Sequence, residues 1–120
     1  MKVLVTGAKG QLGNDLVTQL EAAGFTAVSF SSAELDISDL AAVLEAVKKA
    51  KPGIIINPAA YTKVDLAEKE KDRAYAVNAL GAENLALAAK EANCPIVHVS
   101  TDFVFDGRSP VPCVEEAQTN

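Results

Sequence analysis

The first thirteen residues constrain this chain most. There the apolar row Val3, Leu4, Val5 breaks after Thr6 into three glycines spaced three apart, Gly7, Gly10 and Gly13. An unbroken apolar row of this kind suits a strand buried on both faces of a parallel sheet. Gly7 allows a tight turn, Gly10 lets the backbone approach a ligand with no Cβ in the way, and Gly13 lets the next helix pack closely on the sheet. A helix opening here aims unpaired N–H groups and its positive dipole end at a diphosphate. The spacing G-x-x-G-x-x-G is one residue longer in its first gap than the common fingerprint G-x-G-x-x-G. The strand before it and the helical pattern Leu12, Leu16, Val17, Leu20 after it supply the context that such a motif needs. No Lys-Ser or Lys-Thr pair follows the glycines, which excludes a P-loop.

The remaining sequence alternates helix and strand. A helix over residues 12–23 stops at Gly24, and a strand over 26–30 follows. In a dinucleotide fold the stretch after this strand meets the adenosine ribose. Ser31 or Ser32 can bond a 2′-hydroxyl or a 2′-phosphate there, and Lys9 adds positive charge, so the expected cofactor is NADPH, with NADH as the alternative. Asp36 and Ile37 can bracket the adenine, the carboxylate accepting from its amino group. Equally, Asp36 or Ser38 can cap the next helix, over 39–49, which Pro52-Gly53 ends.

A third strand over 53–57 opens into Asn57-Pro58-Ala59-Ala60-Tyr61-Thr62, where Ala59 and Ala60 leave room beneath a nicotinamide ribose. Residues 63–72 are a charged surface turn. A long helix over 73–92 has a narrow apolar face, on which Gly81 permits close approach to the sheet and Asn78 can hydrogen-bond the backbone of a neighbouring ligand loop. His98 lies in a fourth strand over 96–100 and reads as a packing residue. That strand opens into Ser100-Thr101-Asp102-Phe103, whose hydroxyls can bond a substrate carbonyl. The expected fold is α/β: a right-handed, Rossmann-like, doubly wound parallel sheet in the order 3-2-1-4.

A formal charge of −5 and the lack of any Lys/Arg cluster argue against a nucleic-acid partner. Cys94 and Cys113 have no metal-like spacing and read as free thiols of a reducing compartment; no metal site is expected. No leader pattern precedes the first strand and no apolar stretch approaches the roughly 20 residues that a bilayer requires, so the expectation is a soluble cytoplasmic protein without a membrane partner.

Four ordered blocks carry a family resemblance: Thr6 to Gly13, Asn57 to Thr62, Val77 to Leu85 (Val-Asn-Ala-Leu-Gly-Ala-Glu-Asn-Leu) and Val99 to Gly107 (Val-Ser-Thr-Asp-Phe-Val-Phe-Asp-Gly). Together they resemble the dTDP-4-dehydrorhamnose reductases, extended short-chain dehydrogenases/reductases, over essentially the whole chain. The resemblance implies transfer of a nicotinamide hydride to the C4 ketone of dTDP-4-dehydro-L-rhamnose, a nucleotide-sugar substrate, in polysaccharide biosynthesis. It also implies contacts to the diphosphate from Gly7, Gly10, Gln11, Leu12 and Gly13, to the adenine from Asp36 and Ile37, and to the nicotinamide and ribose from Ala59, Ala60 and Thr62. Thr101 matches the catalytic hydroxyl of the family, and Val64, Asp102 and Phe103 lie on the substrate side. Phe103 stands where the family usually has tyrosine and lacks its phenol. The family's general acid, the tyrosine of Tyr-x-x-x-Lys, has no counterpart here, since Tyr61 is followed four residues later by Asp65 and Tyr75 by Ala79. Residues 1–120 are therefore expected to be the N-terminal cofactor-binding part of a longer reductase, inactive alone, with the substrate lobe and any homodimer contacts outside this span. A noncatalytic nucleotide-binding subunit, or a reductase or epimerase for another nucleotide sugar, are the alternatives.

Overall fold

The computed structural model describes residues 1–120. Its two apolar rows take the positions where both faces can be covered, at the centre of a four-stranded sheet. β1 (Lys2–Val5) lies between β2 (Thr26–Ser29) and β3 (Ile54–Asn57), and β3 pairs along its other edge with β4 (Ile96–His98). All pairings are parallel, with Leu4 opposite Val28 and Ile55, and Ile55 opposite Ile96. The order β2-β1-β3-β4 corrects the expected 3-2-1-4, which placed the third strand outside the second. The cause lies in the strands themselves. Ile54-Ile55-Ile56 is apolar toward both faces and needs neighbours on both edges, whereas Thr26-Ala27-Val28-Ser29 begins and ends polar and tolerates an edge.

Alternation along β1 sends Leu4 to one face and Val3 and Val5 to the other. On the Leu4 face lie α2 (Leu40–Ala50) and α5 (Gly81–Glu91), whose Val43, Val47, Leu85, Ala88 and Ala89 join Leu4 and Ile55 in one buried core. On the other face α1 (Gln11–Ala22) packs over β1 and β2, so the sheet is doubly wound as expected. Asp39 starts α2 by accepting from the Ala42 N–H at 3.1 Å, and Lys48, Lys49 and the Lys2 ammonium, 3.2 Å from the Ala50 carbonyl, complement its negative end.

The long helix exists, but it contains a wide turn. α3 (Val64–Ala67) is a short surface turn, and then α4 (Lys71–Tyr75), a π-helical turn at Ala76–Leu80 and α5 run on without leaving helical backbone angles. Gly81 follows the π turn and was expected to meet the sheet. It meets Ile37 instead: a Cβ added there would lie 2.6 Å from Ile37 Cγ1. Beside it the buried Asn84 donates from Nδ2 to the Ile37 carbonyl at 2.9 Å. The helix thereby fixes the segment after β2.

Leu85 has no exposed surface, while Leu87, two residues on, is 45% exposed. Leu85→Ala should therefore destabilise the fold by about 2–5 kcal/mol in urea denaturation, against about 0.5 kcal/mol or less for Leu87→Ala. Equal costs would contradict this core assignment.

Candidate functional site

Because every strand is parallel, all four C-terminal ends open on one side of the molecule, and the loops leaving them carry the residues picked out above. The glycine turn is built by contact. Gly7 adopts φ +57°, and a Cβ there would sit 2.9 Å from Ala59 Cα, so the first and third strand loops touch. A Cβ on Gly13 would lie 2.2 Å from the Gly7 carbonyl oxygen. Gly10, which accepts from Asn14 N and donates to Gly7 O at 2.9 Å, precedes α1 and has no side chain to cap it. The first-turn amides of Gln11, Leu12 and Gly13 therefore have no side-chain cap, a condition that an anion site requires.

The Ala8 N–H donates to the Phe30 carbonyl at 3.0 Å and brings Lys9 to the loop after β2. There Ser31 is buried, and both its N–H and its hydroxyl donate to Glu34 Oε2. The Ser31 hydroxyl can thus serve a ribose only as an acceptor, whereas Ser32 is exposed. The two hydrogen bonds from Ser31, helped by Lys9, hold the Glu34 carboxyl below its usual range. Asp36 Oδ1 accepts from Ser38 N at 3.0 Å and Ser38 Oγ at 2.7 Å, which lowers its pKa as well. Neither Asp36 nor Ser38 caps the helix, although the sequence allows either: Asp39 does, being the residue whose carboxylate reaches the Ala42 N–H, and Asp36 closes a turn with Ser38 while remaining exposed. Ile37 is buried against Gly81.

On the β3 side Ala60 and Thr62 are exposed and Ala59 is half-buried. Asn78, within the π turn, grips this loop with both ends of its amide. Its Oδ1 accepts from Tyr61 N at 2.8 Å and its Nδ2 donates to Tyr61 O at 3.0 Å, the backbone bracing expected from the sequence. The Tyr61 phenol donates to Glu70, which pushes its pKa up. Thr101, after β4, accepts from Phe103 N at 3.2 Å and starts a short 3-10 turn at Asp102–Val104. Asp102 is exposed there, as are Phe103 and, on α3, Val64.

One polar row was missed. Asn57 and His98 are register partners across β3 and β4, Thr6 is the residue that follows β1, and their side chains join: the Thr6 hydroxyl donates to Asn57 Oδ1, and Asn57 Nδ2 lies 2.9 Å from His98 Nδ1. His98 is thus a hydrogen-bonding residue. The available signal was a polar side chain at the end of three otherwise apolar runs.

For Glu34 the pH dependence has a definite sign. Its folded pKa lies below the ordinary 4.5, so the stability it contributes is full above that value and is lost as pH falls through the folded pKa. Ser31→Ala removes the hydroxyl donor and leaves less to lose. The stability gap between wild type and Ser31→Ala, followed by chemical denaturation, should close as pH falls from about 6 to about 3; a constant gap would contradict the assignment.

Residues 1–120 match the family model described as the RmlD substrate binding domain. The chain is 47% identical over 107 residues to a dTDP-4-dehydrorhamnose reductase of Aggregatibacter actinomycetemcomitans, covering 88% of this chain and 36% of that protein. It is similar to the crystal structure of a dTDP-4-dehydrorhamnose reductase from Clostridium acetobutylicum with a TM-score of 0.95 and 42% identity, covering 100% of this chain and 43% of that one. For the dTDP-4-dehydrorhamnose reductase of Bacillus anthracis in complex with NADP, the TM-score is 0.86 at 45% identity, covering 91% and 39%. The chain spans about two fifths of the length of these relatives. Glycine turn, parallel sheet and whole-chain match agree: the chain belongs to the RmlD family and corresponds to the N-terminal portion of dTDP-4-dehydrorhamnose reductases.

Proposed function

We propose that residues 1–120 are the cofactor-binding part of an enzyme that reduces the C4 ketone of dTDP-4-dehydro-L-rhamnose to dTDP-L-rhamnose, using NADPH and, as the alternative, NADH. The observation that carries this reading is the uncapped start of α1, seated directly on the carbonyl of Gly7, which itself lies against Ala59. The residues fit a dinucleotide. A Cβ at Gly13 would break the cradle, and the amides of Gln11, Leu12 and Gly13 supply donors for a diphosphate that Gly7 and Gly10 let come close. Lys9 with the exposed Ser32 would receive the 2′ substituent of the adenosine ribose, while the buried Ser31 hydroxyl, committed as a donor to Glu34, would only accept from a ribose hydroxyl. Asp36 would accept from the adenine amino group, and buried Ile37 supports the floor beneath it. Ala59, Ala60 and Thr62 would line the nicotinamide ribose, and the NADP complex of the Bacillus anthracis relative supports NADPH as the cofactor.

When bound, the nicotinamide supplies the hydride. Thr101 would hold the substrate oxygen by a hydrogen bond, while Val64, Asp102 and Phe103 face the sugar nucleotide from exposed positions. The Tyr61 phenol is committed to Glu70 with its pKa raised, and Tyr75 is 65% exposed. Neither has the following lysine that makes a phenol an effective proton donor. This span by itself is accordingly expected to bind cofactor and turn nothing over.

A thermal melt with and without NADPH, repeated with NADH, tests the reading. Cofactor at about 100 times its dissociation constant should stabilise the chain by about 2.7 kcal/mol, and Gly13→Ala should abolish that shift. A cooperative melt indifferent to both cofactors would overturn the proposal. Substrate-dependent NADPH oxidation by residues 1–120 would overturn the expected inactivity.

A further inference from the structure

We infer that Asn57 is a positioning residue that locks the glycine turn, the Ala59 loop and the strand leading to Thr101 into one cofactor-receiving arrangement, and that it does so through a His98 ring with an unprotonated Nδ1. This rests on the cofactor-binding reading above. Asn57 ends β3 with no exposed surface, and its amide touches all three neighbouring segments. Oδ1 accepts from the buried Thr6 hydroxyl, whose residue immediately precedes Gly7, and from the Ala59 N–H at 3.2 Å. A backbone N–H can only donate, so the amide oxygen must lie on that side. Nδ2 is thereby turned toward β4, where it meets His98 Nδ1 at 2.9 Å. Nδ2 can only donate, so Nδ1 must accept, and the ring proton sits on Nε2. The Asn57 carbonyl completes the junction by accepting from Val99 N at 3.1 Å, two residues before Thr101.

No apolar residue reproduces this junction. It would leave the Thr6 hydroxyl and the Ala59 N–H without an acceptor next to the place where Gly7 and Ala59 touch. Displacement there would move both loops that receive the cofactor. The inference thus concerns how these loops are aligned, which binding reads more sensitively than folding does.

The test uses the full chain, with NADPH affinity and urea stability measured on each variant. Thr6→Val keeps the shape and removes the donor to Oδ1, while Thr6→Ser retains it. His98→Leu removes the acceptor for Nδ2, while in His98→Asn an oxygen can stand where Nδ1 stood. Thr6→Val and His98→Leu should each weaken NADPH binding by about threefold to tenfold, the worth of one hydrogen bond, and Thr6→Ser and His98→Asn should restore most of it. The nitrogen NMR spectrum of His98 should show a protonated Nε2 and a bare Nδ1. Folded Thr6→Val and His98→Leu proteins that bind NADPH as wild type does, or a ring protonated at Nδ1, would overturn the inference. Wild-type protein that folds and binds neither NADPH nor NADH would instead overturn the functional reading on which it rests.

Discussion

The pairing of β1 with β3 is the constraint on which the molecule depends. It places Val5 beside Ile56, so the chain leaves both strands at the same level and Gly7 emerges against Ala59. A Cβ on Gly7 would come within 2.9 Å of Ala59 Cα, so little room separates the two loops. Only a parallel pair of neighbouring strands brings the glycine turn and the Ala59 loop together in this way. The interior cores of both strands, with Leu4 and Ile55 fully buried, hold that register, because a slip of one residue would turn each apolar side chain to the wrong face. Core packing and site geometry are coupled at this pairing.

The segments around it are held by asparagines. Asn84 reaches from α5 to the Ile37 carbonyl, Asn78 grips both backbone groups of Tyr61, and Asn57 joins Thr6, Ala59 and His98. Each fixes a segment that follows a strand. The π turn matters in this respect, because it lies in the middle of a continuous helix and carries Asn78 toward Tyr61, while the next residues bring Gly81 and Asn84 against Ile37. One helix thus aligns the loops after β2 and β3, and a change of its phase would disturb both.

Much of this was legible in the sequence, for identifiable reasons. Apolar rows, glycine spacing and turn residues placed all four strands and the major helices, because those signals are local. The bracing by Asn78 was legible because a polar amide on an apolar helix face must find a partner. The strand order was misread because it depends on competition between strands for the sheet centre, although the polar ends of β2 against the three isoleucines of β3 carried that information. Gly81 was assigned to the sheet because periodicity tells which face is close-packed and not what lies opposite. His98 was set aside because its partner lies 41 residues away, and only the parallel register brings the two together. The sequestration of Ser31 by Glu34 involves residues three apart, but a serine and a glutamate in a loop pair only when the loop's path is known.

The choice of asparagine at these braces follows from the groups that each must satisfy. A carboxylate at Asn78 or Asn84 would accept but could not donate to the carbonyls of Tyr61 and Ile37. At Asn57 it would also place a negative charge in a fully buried position, beside Thr6 and Ala59. An amide supplies donor and acceptor at once, stays neutral, and holds its geometry across the range in which Glu34 and Asp36 titrate. The carboxylates of Glu34 and Asp36 occupy exposed turns, where water screens them, while the asparagine amides that brace the loops cannot change charge. Bracing of the loops by the asparagines is thereby separated from the charges carried on the exposed turns.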